Sequence, residues 1–317
     1  MTPRLKVTIA IHTRNRETSV LLCLESIKKQ TVLPDELIFI ENVIEHQYFS
    51  KKRLFEIFPK KIRCVYKKVT VNNRATSRNL SLSLGTGDIY ISIDHDAFFA
   101  VNSIIEQTIQ THKKFPYVSA VVGPVFSIGT SMYELFSSAV YAPALFDDEV
   151  KKIAVYPTTF FSLRMGAQKK YNVMFNVSSN AEDIDFFWRL THKGGTLMYT
   201  PNLGVYAEFP NNLRDFVYKR FSYAVNNADL FTLSGGVLDS ISWLLVNSKI
   251  KLLLYPVFFI YHLFKNAYQT ILSKRISYTY MGLSFINELM VAIGFFASDQ
   301  GKQLFLRSVR NFFITYV

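Results

Sequence analysis

Two carboxylates stand one residue apart where a short hydrophobic segment ends. In residues 89–93 isoleucines alternate with Tyr90 and Ser92, which predicts a buried strand that runs directly into Asp94-His95-Asp96. Ligands of open α/β sheets bind at the carboxyl ends of the strands, and paired carboxylates there suit a hard divalent cation with open positions for phosphate oxygens. The alternative is an Asp-rich turn that only closes the strand.

A second group of acids lies further along the chain. Glu182, Asp183 and Asp185 open residues 182–190, whose spacing predicts a helix with Asp185 and Arg189 on one face. Acids in the first turn of a helix are stabilised by the helix dipole, so capping alone explains them. The other explanation is general-base catalysis, in which a carboxylate takes the proton of an attacking hydroxyl group.

Two arginines precede the first acidic pair. Arg74 and Arg78 are four residues apart in a segment that predicts a helix ending near Gly85, so they share one helix face. A guanidinium group is suited to a bidentate contact with a carboxylate or a phosphate. The alternative is a solvated basic face.

The elements that would position these residues alternate between strands and helices. Polar residues 12–16 separate the first predicted strand from a helix, for which Asn15 is a plausible N-cap. The alternation predicts an α/β fold in which the first polar loop and Asp94 lie at the same sheet edge. The strands are predicted at residues 7–11, 36–40, 62–66, 89–93, 117–126, 158–163 and 196–199.

Several segments together carry a family resemblance. They are V-T-I-A-I-H-T-R-N-R, E-S-I-K-K-Q-T with E-L-I-F-I-E-N, R-A-T-S-R-N, G-D-I-Y-I-S-I-D-H-D and, after them, E-D-I-D-F-F-W-R. In this order and spacing the chain resembles a family 2 glycosyltransferase. The resemblance covers roughly the first hundred residues and the E-D-I-D segment. It implies a GT-A (Rossmann-like) nucleotide-sugar-binding domain that uses a divalent metal and inverts the anomeric carbon.

The resemblance also assigns roles to residues. Asp183 is the general base, and Asp96, with Asp94, binds Mn²⁺ or Mg²⁺. Ala207 occupies the place where many members have a metal-binding His. The neighbouring Glu208 either substitutes for it, since carboxylate oxygens suit the same ions, or is a simple exposed glutamate. Donor binding is implied for Thr13, Arg14, Arg16, Glu41, Arg74, Arg78, Asn79, Asp94 and His95, and acceptor binding for Glu182, Asp185 and Arg189. Glu41 replaces the Asp that commonly faces the base in the family.

Composition bears on the setting. Hydrophobic residues make up 49% of the 317 residues, the net charge is +12, and the two cysteines, Cys23 and Cys64, lack the spacing of metal ligands. Surplus aromatics with basic charge favour contact with an anionic membrane surface, while no recognisable nucleic-acid-binding module is present. The start of the chain has no apolar signal region, and the cysteines are expected to be reduced, so we expect the catalytic part on the cytoplasmic side.

The last hundred residues differ in composition from the rest. Apolar runs at residues 252–264 and 281–297 are flanked by lysines and arginines and are short for spanning helices. We therefore predict a glycosyltransferase domain over residues 1–212 and a helical region over residues 213–317 that lies on the cytoplasmic face of a membrane, peripheral or monotopic. An oligomer interface between copies of the chain is the alternative use of the same helices.

These observations predict transfer of a sugar, with a UDP-sugar favoured as donor, to a hydroxyl group of a lipid-linked or cell-surface glycan. Two alternatives stay open. A polyprenyl-phosphate sugar transferase would act on an acceptor that is already ionised and needs no general base. An inactive membrane-bound scaffold of the same fold would bind without turnover.

Overall fold

The computed structural model describes residues 4–13, 17–42, 49, 51–70, 73–141, 149–178 and 182–227, together with Ile286 and Met290. The described strands are β1 (Val7–Thr13), β2 (Glu36–Asn42), β3 (Arg63–Val69), β4 (Ile89–Asp94), β5 (Ala97–Phe99), β6 (Ala120–Val122), β7 (Val125–Ser127), β8 (Lys151–Ile153), β9 (Phe160–Arg164), β10 (Leu197–Tyr199) and β11 (Val205–Ala207). The described helices are α1 (Glu17–Lys28), α2 (Lys51–Ile57), α3 (Arg74–Leu84), α4 (Ile104–Lys114), α5 (Met132–Tyr141), α6 (Met165–Tyr171), α7 (Glu182–His192) and α8 (Leu213–Asn227).

The central sheet has eight described strands in the order β3-β2-β1-β4-β9-β6-β10-β8. Strands β3, β2, β1 and β4 are parallel, whereas β9 runs antiparallel to both β4 and β6. Parallel neighbours require crossover connections, and helices supply them between the first four strands. Strands β1, β2 and β4 are apolar almost throughout and buried, as expected for parallel strands covered on both faces.

Side-chain hydrogen bonds hold the amino ends of these strands in register. Asp35 and Asp88 accept hydrogen bonds from the backbone N–H groups of Val7 and Lys6 at 2.8 Å. Inside the sheet, Thr8 donates its hydroxyl proton to Glu36 at 2.6 Å. A one-residue slip would break these contacts and turn the apolar side chains of β1 to the opposite face.

The structure confirms the predicted order of the strands and adds elements that the sequence did not reveal. Helix α2 lies between the strands predicted at residues 36–40 and 62–66, and helix α6 follows the strand predicted at residues 158–163. The short strands β5 and β11 were also missed. Both have only three residues, which is too short for an alternating pattern to be recognised.

A second, three-stranded sheet has the order β5-β11-β7. It begins right after Asp96, because β5 starts at Ala97, and β11 pairs antiparallel with β5 so that Ala207 lies opposite Ala97. The residue after β11, Glu208, is thereby brought next to Asp96, and its backbone N–H donates to the Asp96 carbonyl oxygen at 3.2 Å. The second sheet thus delivers a third acid to the end of β4.

The chain divides into two compact units. One comprises Met1–Ile128, Ser138–Ser178 and Glu182–Glu208, and it contains every strand named above; the other comprises Gly129–Ser137, Ser179–Ala181 and Phe209–Val317. In the second unit Phe136 and Phe216 form a small apolar cluster against which Tyr133, Val217 and Ile286 pack. The predicted apolar segments at residues 252–264 and 281–297 lie outside the described residues, except for Ile286 and Met290. None of the described helices is both long and apolar enough to span a bilayer.

Two glycines provide a matched test of the packing. A Cβ atom on Gly123 would lie 2.0 Å from the backbone oxygen of Leu203, whereas one on Gly166 would meet no atom within 4 Å. We expect Gly123→Ala to lower the free energy of unfolding by about 1–3 kcal/mol or more, because backbone must move. Gly166→Ala in α6 should leave it unchanged or raise it by about 0.4–1 kcal/mol. Urea denaturation of both variants checks this, and equal effects would contradict the described packing.

Candidate active site

The carboxyl ends of three parallel strands bring the predicted donor-side residues to one edge of the sheet. Thr13 of β1 lies opposite Glu41 of β2, and His12 lies opposite Asp94 of β4. This is the edge at which ligands of open α/β sheets bind. The structure therefore places Thr13, Glu41 and Asp94 at one edge, as the sequence predicted for the first polar loop and Asp94.

Arg78 connects the two acidic motifs. Its Nη1 donates to Glu182 at 2.6 Å, and its Nη2 donates to Asp94 at 3.1 Å. The Arg78 and Glu182 side chains are only 5% and 6% exposed, and that of Asp94 is 29% exposed. One guanidinium group on α3 thus holds the end of β4 against the start of α7, although these elements are far apart in the sequence.

Burial shapes the ionisation of both carboxylates. Loss of solvation raises the pKa of Asp94, and the neighbouring Asp96 adds to this effect, while Arg78 opposes it. The pKa of Glu182 is also raised, mainly by burial and further by Asp183, again with Arg78 in opposition. Arg74, on the exposed face of the same helix, is close enough to lower both pKa values. The two predicted arginines therefore stabilise the ionised form of the acidic site.

A hydrogen-bond network centred on the Ser81 hydroxyl group reaches the backbone of Arg78. Ser81 donates its proton to the Arg78 carbonyl oxygen at 2.8 Å, so the two other groups on its oxygen, His12 Nε2 and the Tyr90 hydroxyl, both at 2.7 Å, must act as donors. Burial and the Arg78 charge hold the pKa of His12 well below its usual value. His12 is thus a neutral imidazole whose Nδ1 is an acceptor.

Three buried polar atoms at this edge have no hydrogen-bond partner among the described residues. They are Thr13 Oγ1, His12 Nδ1 and His95 Nε2. His95 Nδ1 lies 3.1 Å from the His12 carbonyl oxygen, which can only accept, so Nε2 of a neutral His95 is also an acceptor. A buried acceptor without a donor costs free energy, and such groups are typical of sites that a ligand completes. The sequence had singled out Thr13 and His95, but not His12.

The third acid, Glu208, is anchored to α1. Its Oε1 accepts the Ser19 hydroxyl proton at 2.7 Å, while its backbone contacts Asp96. No cluster of three or more His, Cys, Asp or Glu side chains suitable for a metal occurs in the described part of the chain. Asp94, Asp96 and Glu208 nevertheless offer only oxygen atoms, which suit Mn²⁺ or Mg²⁺ when donor phosphates complete the coordination. These donors thus fit the predicted metal in chemical type, although their described positions do not form a cluster.

Glu41 has two partners already. Its Oε1 accepts the Phe49 backbone N–H at 2.6 Å, and the Tyr66 hydroxyl donates to its Oε2. The residue is 1% exposed. Phe39 stacks on Tyr66 with ring centroids 5.8 Å apart, and together with Glu41 these rings form a wall on the β3 side of the edge. Glu41 therefore fixes the β3 side of the edge, a role that the sequence comparison with an Asp at this position did not suggest.

Other predicted residues are engaged in structural contacts. Asn79 donates to the Phe175 carbonyl oxygen at 2.8 Å and accepts the Phe175 N–H at 2.7 Å, so both ends of its amide fasten the chain ahead of α7. Donor binding by Asn79 stays a prediction. Asp185 accepts from Arg189 Nε and Nη2 at 2.9 and 2.6 Å, and Arg189 also donates to the Met174 carbonyl oxygen. Arg14 and Arg16 lie outside the described residues.

Asp183 stands beside this bridge in the first turn of α7. It is half-buried, and one carboxylate oxygen accepts the Ile184 backbone N–H at 2.8 Å. Unlike Glu182, it forms no ion pair with an arginine among the described residues, and it lies one residue from the group that Arg78 links to Asp94.

Residues 8–181 match the family described as Glycosyl transferase family 2. The chain belongs to this family. It is therefore a glycosyltransferase, and the recognition made from the sequence motifs is confirmed. No curated protein sequence gives a significant match to the chain.

Solved structures share the fold at low identity. The mannosyltransferase PcManGT from Pyrobaculum calidifontis, in complex with GDP-Man and Mn²⁺, has 14% identity and a TM-score of 0.63 over 92% of this chain and 87% of that one. S. aureus TarS 1-349 has 13% identity and a TM-score of 0.55 over 97% and 89%. GalNAc-T7 with UDP, GalNAc and Mn²⁺ has 13% identity and a TM-score of 0.52, and the match covers 72% of this chain and 51% of that one.

These likenesses agree with the sheet described above. The chain has a mixed α/β, GT-A-like fold around a central sheet, as the sequence predicted. The helical, membrane-associated C-terminal region of that prediction stays untested, because most of it lies outside the described residues.

The Arg78 bridge makes a prediction for stability. Replacing Arg78 by Gln leaves Glu182 buried without its cation, so we expect the free energy of unfolding to fall by about 3–5 kcal/mol. The matched change Arg189→Gln removes a pair within one helix whose arginine is 27% exposed, so water can reach the place of the lost guanidinium group and we expect a smaller loss, about 1 kcal/mol. Chemical denaturation measures both.

A further variant separates the ion pair from the arginine's packing. In the double variant Arg78→Gln/Glu182→Gln no carboxylate is left buried and unpaired, so part of the lost stability should return. A loss for Arg78→Gln no larger than that for Arg189→Gln would contradict the bridging role.

Proposed function

We propose that the chain is an inverting, metal-dependent glycosyltransferase that moves a sugar from a nucleotide diphosphate to a hydroxyl group of a lipid-linked or cell-surface glycan. The observation that carries the proposal is the Arg78 bridge, which joins Asp94 of the donor motif to Glu182 of the acceptor-side motif. Inversion by direct displacement needs acids on separate elements facing one cleft. The bridge supports this arrangement because it ties those two elements together.

The donor is proposed to lie across the carboxyl ends of β1, β2 and β4. Thr13 Oγ1, His12 Nδ1 and His95 Nε2 are polar atoms there that still lack partners among the described residues, and sugar or ribose hydroxyl groups are donors that would satisfy the two imidazole acceptors. A UDP-sugar is the favoured donor. The solved GalNAc-T7 structure contains UDP, while PcManGT contains GDP-Man, so the choice of base is a matter for experiment.

Asp96 and Asp94, with Glu208 beside them, are proposed to hold Mn²⁺ or Mg²⁺ against the diphosphate. A bound divalent cation supplies compensation for the negative charge that develops on the departing nucleotide diphosphate. The contribution of the protein is to fix the carboxylates: β4 positions Asp94 and Asp96, and the Ser19 hydrogen bond orients Glu208. Mn²⁺ in the solved structures of PcManGT and GalNAc-T7 agrees with this proposal.

Asp183 is proposed as the general base. As the acceptor oxygen bonds to the sugar C1, its proton passes to the Asp183 carboxylate and the C1–O bond to the diphosphate breaks on the opposite face. Glu182 is held by Arg78 and is therefore proposed to position this base rather than to take the proton itself. Asp185 and Arg189, which pair with each other and with the chain at Met174, are proposed to support the acceptor side.

The proposed setting is the cytoplasmic face of a membrane, with the chain bound peripherally or as a monotopic protein. The net charge of +12 and the aromatic content support contact with an anionic surface. The proposal keeps the predicted division of the chain into residues 1–212 and 213–317. It also includes a homo-oligomer built from the C-terminal segment.

Asp183→Asn is the decisive variant for the chemistry. Because the amide cannot accept the proton, we expect the rate of sugar transfer to fall by about 10² to 10⁴ while the donor affinity stays within about twofold. Glu106→Gln, a change of exposed acid to amide on α4, is the control and should keep the wild-type rate. Undiminished transfer by Asp183→Asn would contradict the proposed reaction, and so would product formed on polyprenyl phosphate alone. If the wild type transfers no sugar, the result would indicate an inactive scaffold.

Metal removal tests the donor site separately. We expect the wild type to bind one nucleotide among UDP, GDP and dTDP in Mn²⁺, and EDTA to weaken this binding at least tenfold, since the diphosphate loses its cation. Asp96→Asn should show the same weakening in Mn²⁺, and Glu208→Gln a smaller one. Calorimetric titration measures the affinities. Nucleotide binding that neither EDTA nor Asp96→Asn weakens would contradict the metal site.

A further inference from the structure

The edge of the central sheet formed by α2, β3 and the turn between them carries an unusual density of positive charge. Residues 51–68 contain eight basic side chains and one acid, Glu56. All eight are exposed. We call this surface the basic edge; it consists of Lys51, Lys52, Arg53, Lys60, Lys61, Arg63, Lys67 and Lys68.

The basic edge runs the full length of the outermost strand. In the parallel register, Lys68 lies opposite Glu41 at the carboxyl end of the sheet, and Arg63 lies opposite Glu36 at the other end. Helix α2 begins at Lys51, and its Arg53 pairs with Glu17 of α1, while the turn containing Lys60 and Lys61 leads into β3. The charge on β3 thus extends to the carboxyl end of the sheet, where Lys68 lies beside β2 of the candidate donor site.

Among the described residues, three acids form ion pairs with this surface, against eight bases. Arg53 pairs with Glu17, Arg63 with Glu36, and Lys52 with Glu56 at 3.8 Å. Charged residues on edge strands prevent pairing with the edges of other sheets, and this explains the bases on β3. It does not explain those on α2 or in the turn, because neither presents an unpaired strand edge.

An exposed aromatic ring lies within the same surface. Phe55 is 42% exposed, and the Lys51 ammonium lies 5.7 Å from its ring centroid. A phenylalanine among lysines on the exposed face of a helix is a combination typical of surfaces that insert shallowly into anionic lipid. Nucleic-acid surfaces instead combine a charged groove with several stacking aromatics. Tyr66, the next aromatic along the edge, is half-buried and bonded to Glu41.

We propose that the basic edge docks the catalytic unit on an anionic membrane surface through lipid headgroups. This deepens the membrane association proposed above, and rests on it, by assigning contact to the unit that holds the active site rather than to the C-terminal segment alone. Contact along β3 places the carboxyl end of the sheet, and with it the donor edge, beside the bilayer. A lipid-linked acceptor is confined to that location.

The test compares two sets of four Lys→Gln changes in the full chain. The docking variant is Lys51→Gln/Lys52→Gln/Lys60→Gln/Lys61→Gln. The control variant, Lys28→Gln/Lys29→Gln/Lys113→Gln/Lys114→Gln, removes the same number of exposed lysines from the ends of α1 and α4. Neither set includes a residue of the proposed catalytic or donor site.

Vesicle co-sedimentation is the readout, using phosphatidylcholine vesicles with and without about one third phosphatidylglycerol. A lysine at such a surface contributes about fivefold to binding, so four should contribute well over tenfold, and the effect should diminish at high salt. We expect the docking variant to lose at least tenfold in affinity for the anionic vesicles, and the control variant to stay within about threefold. Nucleotide release from a soluble donor should be the same for the docking variant and the control variant. This assay reports the proposed sugar transfer independently of vesicle binding.

Three results would overturn the proposal. The first is that the docking variant binds anionic vesicles as tightly as the wild type does. The second is that both variants lose affinity equally, and the third is that the wild type binds anionic and neutral vesicles equally well. The same titration with a short RNA duplex addresses the other class of polyanion. If the wild type binds the duplex more tightly than the vesicles, and only duplex binding depends on the basic edge, the surface is a nucleic-acid site and the membrane proposal is wrong.

Discussion

The buried ion pairs of Arg78 are the constraint on which the candidate active site depends. Burying a guanidinium group and a carboxylate costs several kcal/mol of solvation for each ion, and this cost is offset only when the geometry is good and the hydrogen bonds are satisfied. Arg78 meets this condition by contacting Glu182 and Asp94 with different nitrogen atoms. If either acid were absent, Arg78 would pair with the remaining acid alone, and it would no longer fix the spacing of β4 and α7.

The support behind Arg78 extends the same constraint into the core. Ser81 accepts from His12 and Tyr90 and donates to the backbone of Arg78, so a side chain from each of β1, α3 and β4 meets at one oxygen atom. Because His12 is neutral there, it adds no positive charge to a site that already contains two arginines. The network thus joins β1 and β4 to the backbone of α3 at Arg78 and leaves the buried imidazole acceptor of His12 without a partner among the described residues.

Two further contacts show how the fold brings distant residues to the acidic strand. The second sheet places Glu208 beside Asp96 through the pairing of β11 with β5, and Ser19 of α1 then holds the carboxylate. On the other side of the edge, Glu41 accepts from Phe49 and Tyr66 and so closes the wall formed by β3. That wall continues outward into the basic edge, so the proposed donor site and the proposed membrane contact lie on the neighbouring strands β2 and β3.

The alternating isoleucines of β4 and the apolar runs of β1 and β2 were sufficient to predict the parallel strands, because burial on both faces leaves a pattern in consecutive residues. Their polar ends, and the family motifs, then identified Asp94, Asp96 and Asp183 and the class of enzyme. The partners of these residues could not be found in this way. Arg78 contacts Glu182, Ser19 contacts Glu208 and His12 contacts Ser81 across long stretches of chain, and such contacts leave no local periodicity. Whether Glu41 faces a ligand or a neighbouring strand, and whether Asn79 holds a nucleotide or the backbone of Phe175, depends on which side chains packing brings within hydrogen-bond distance, so only the tertiary structure decided those contacts.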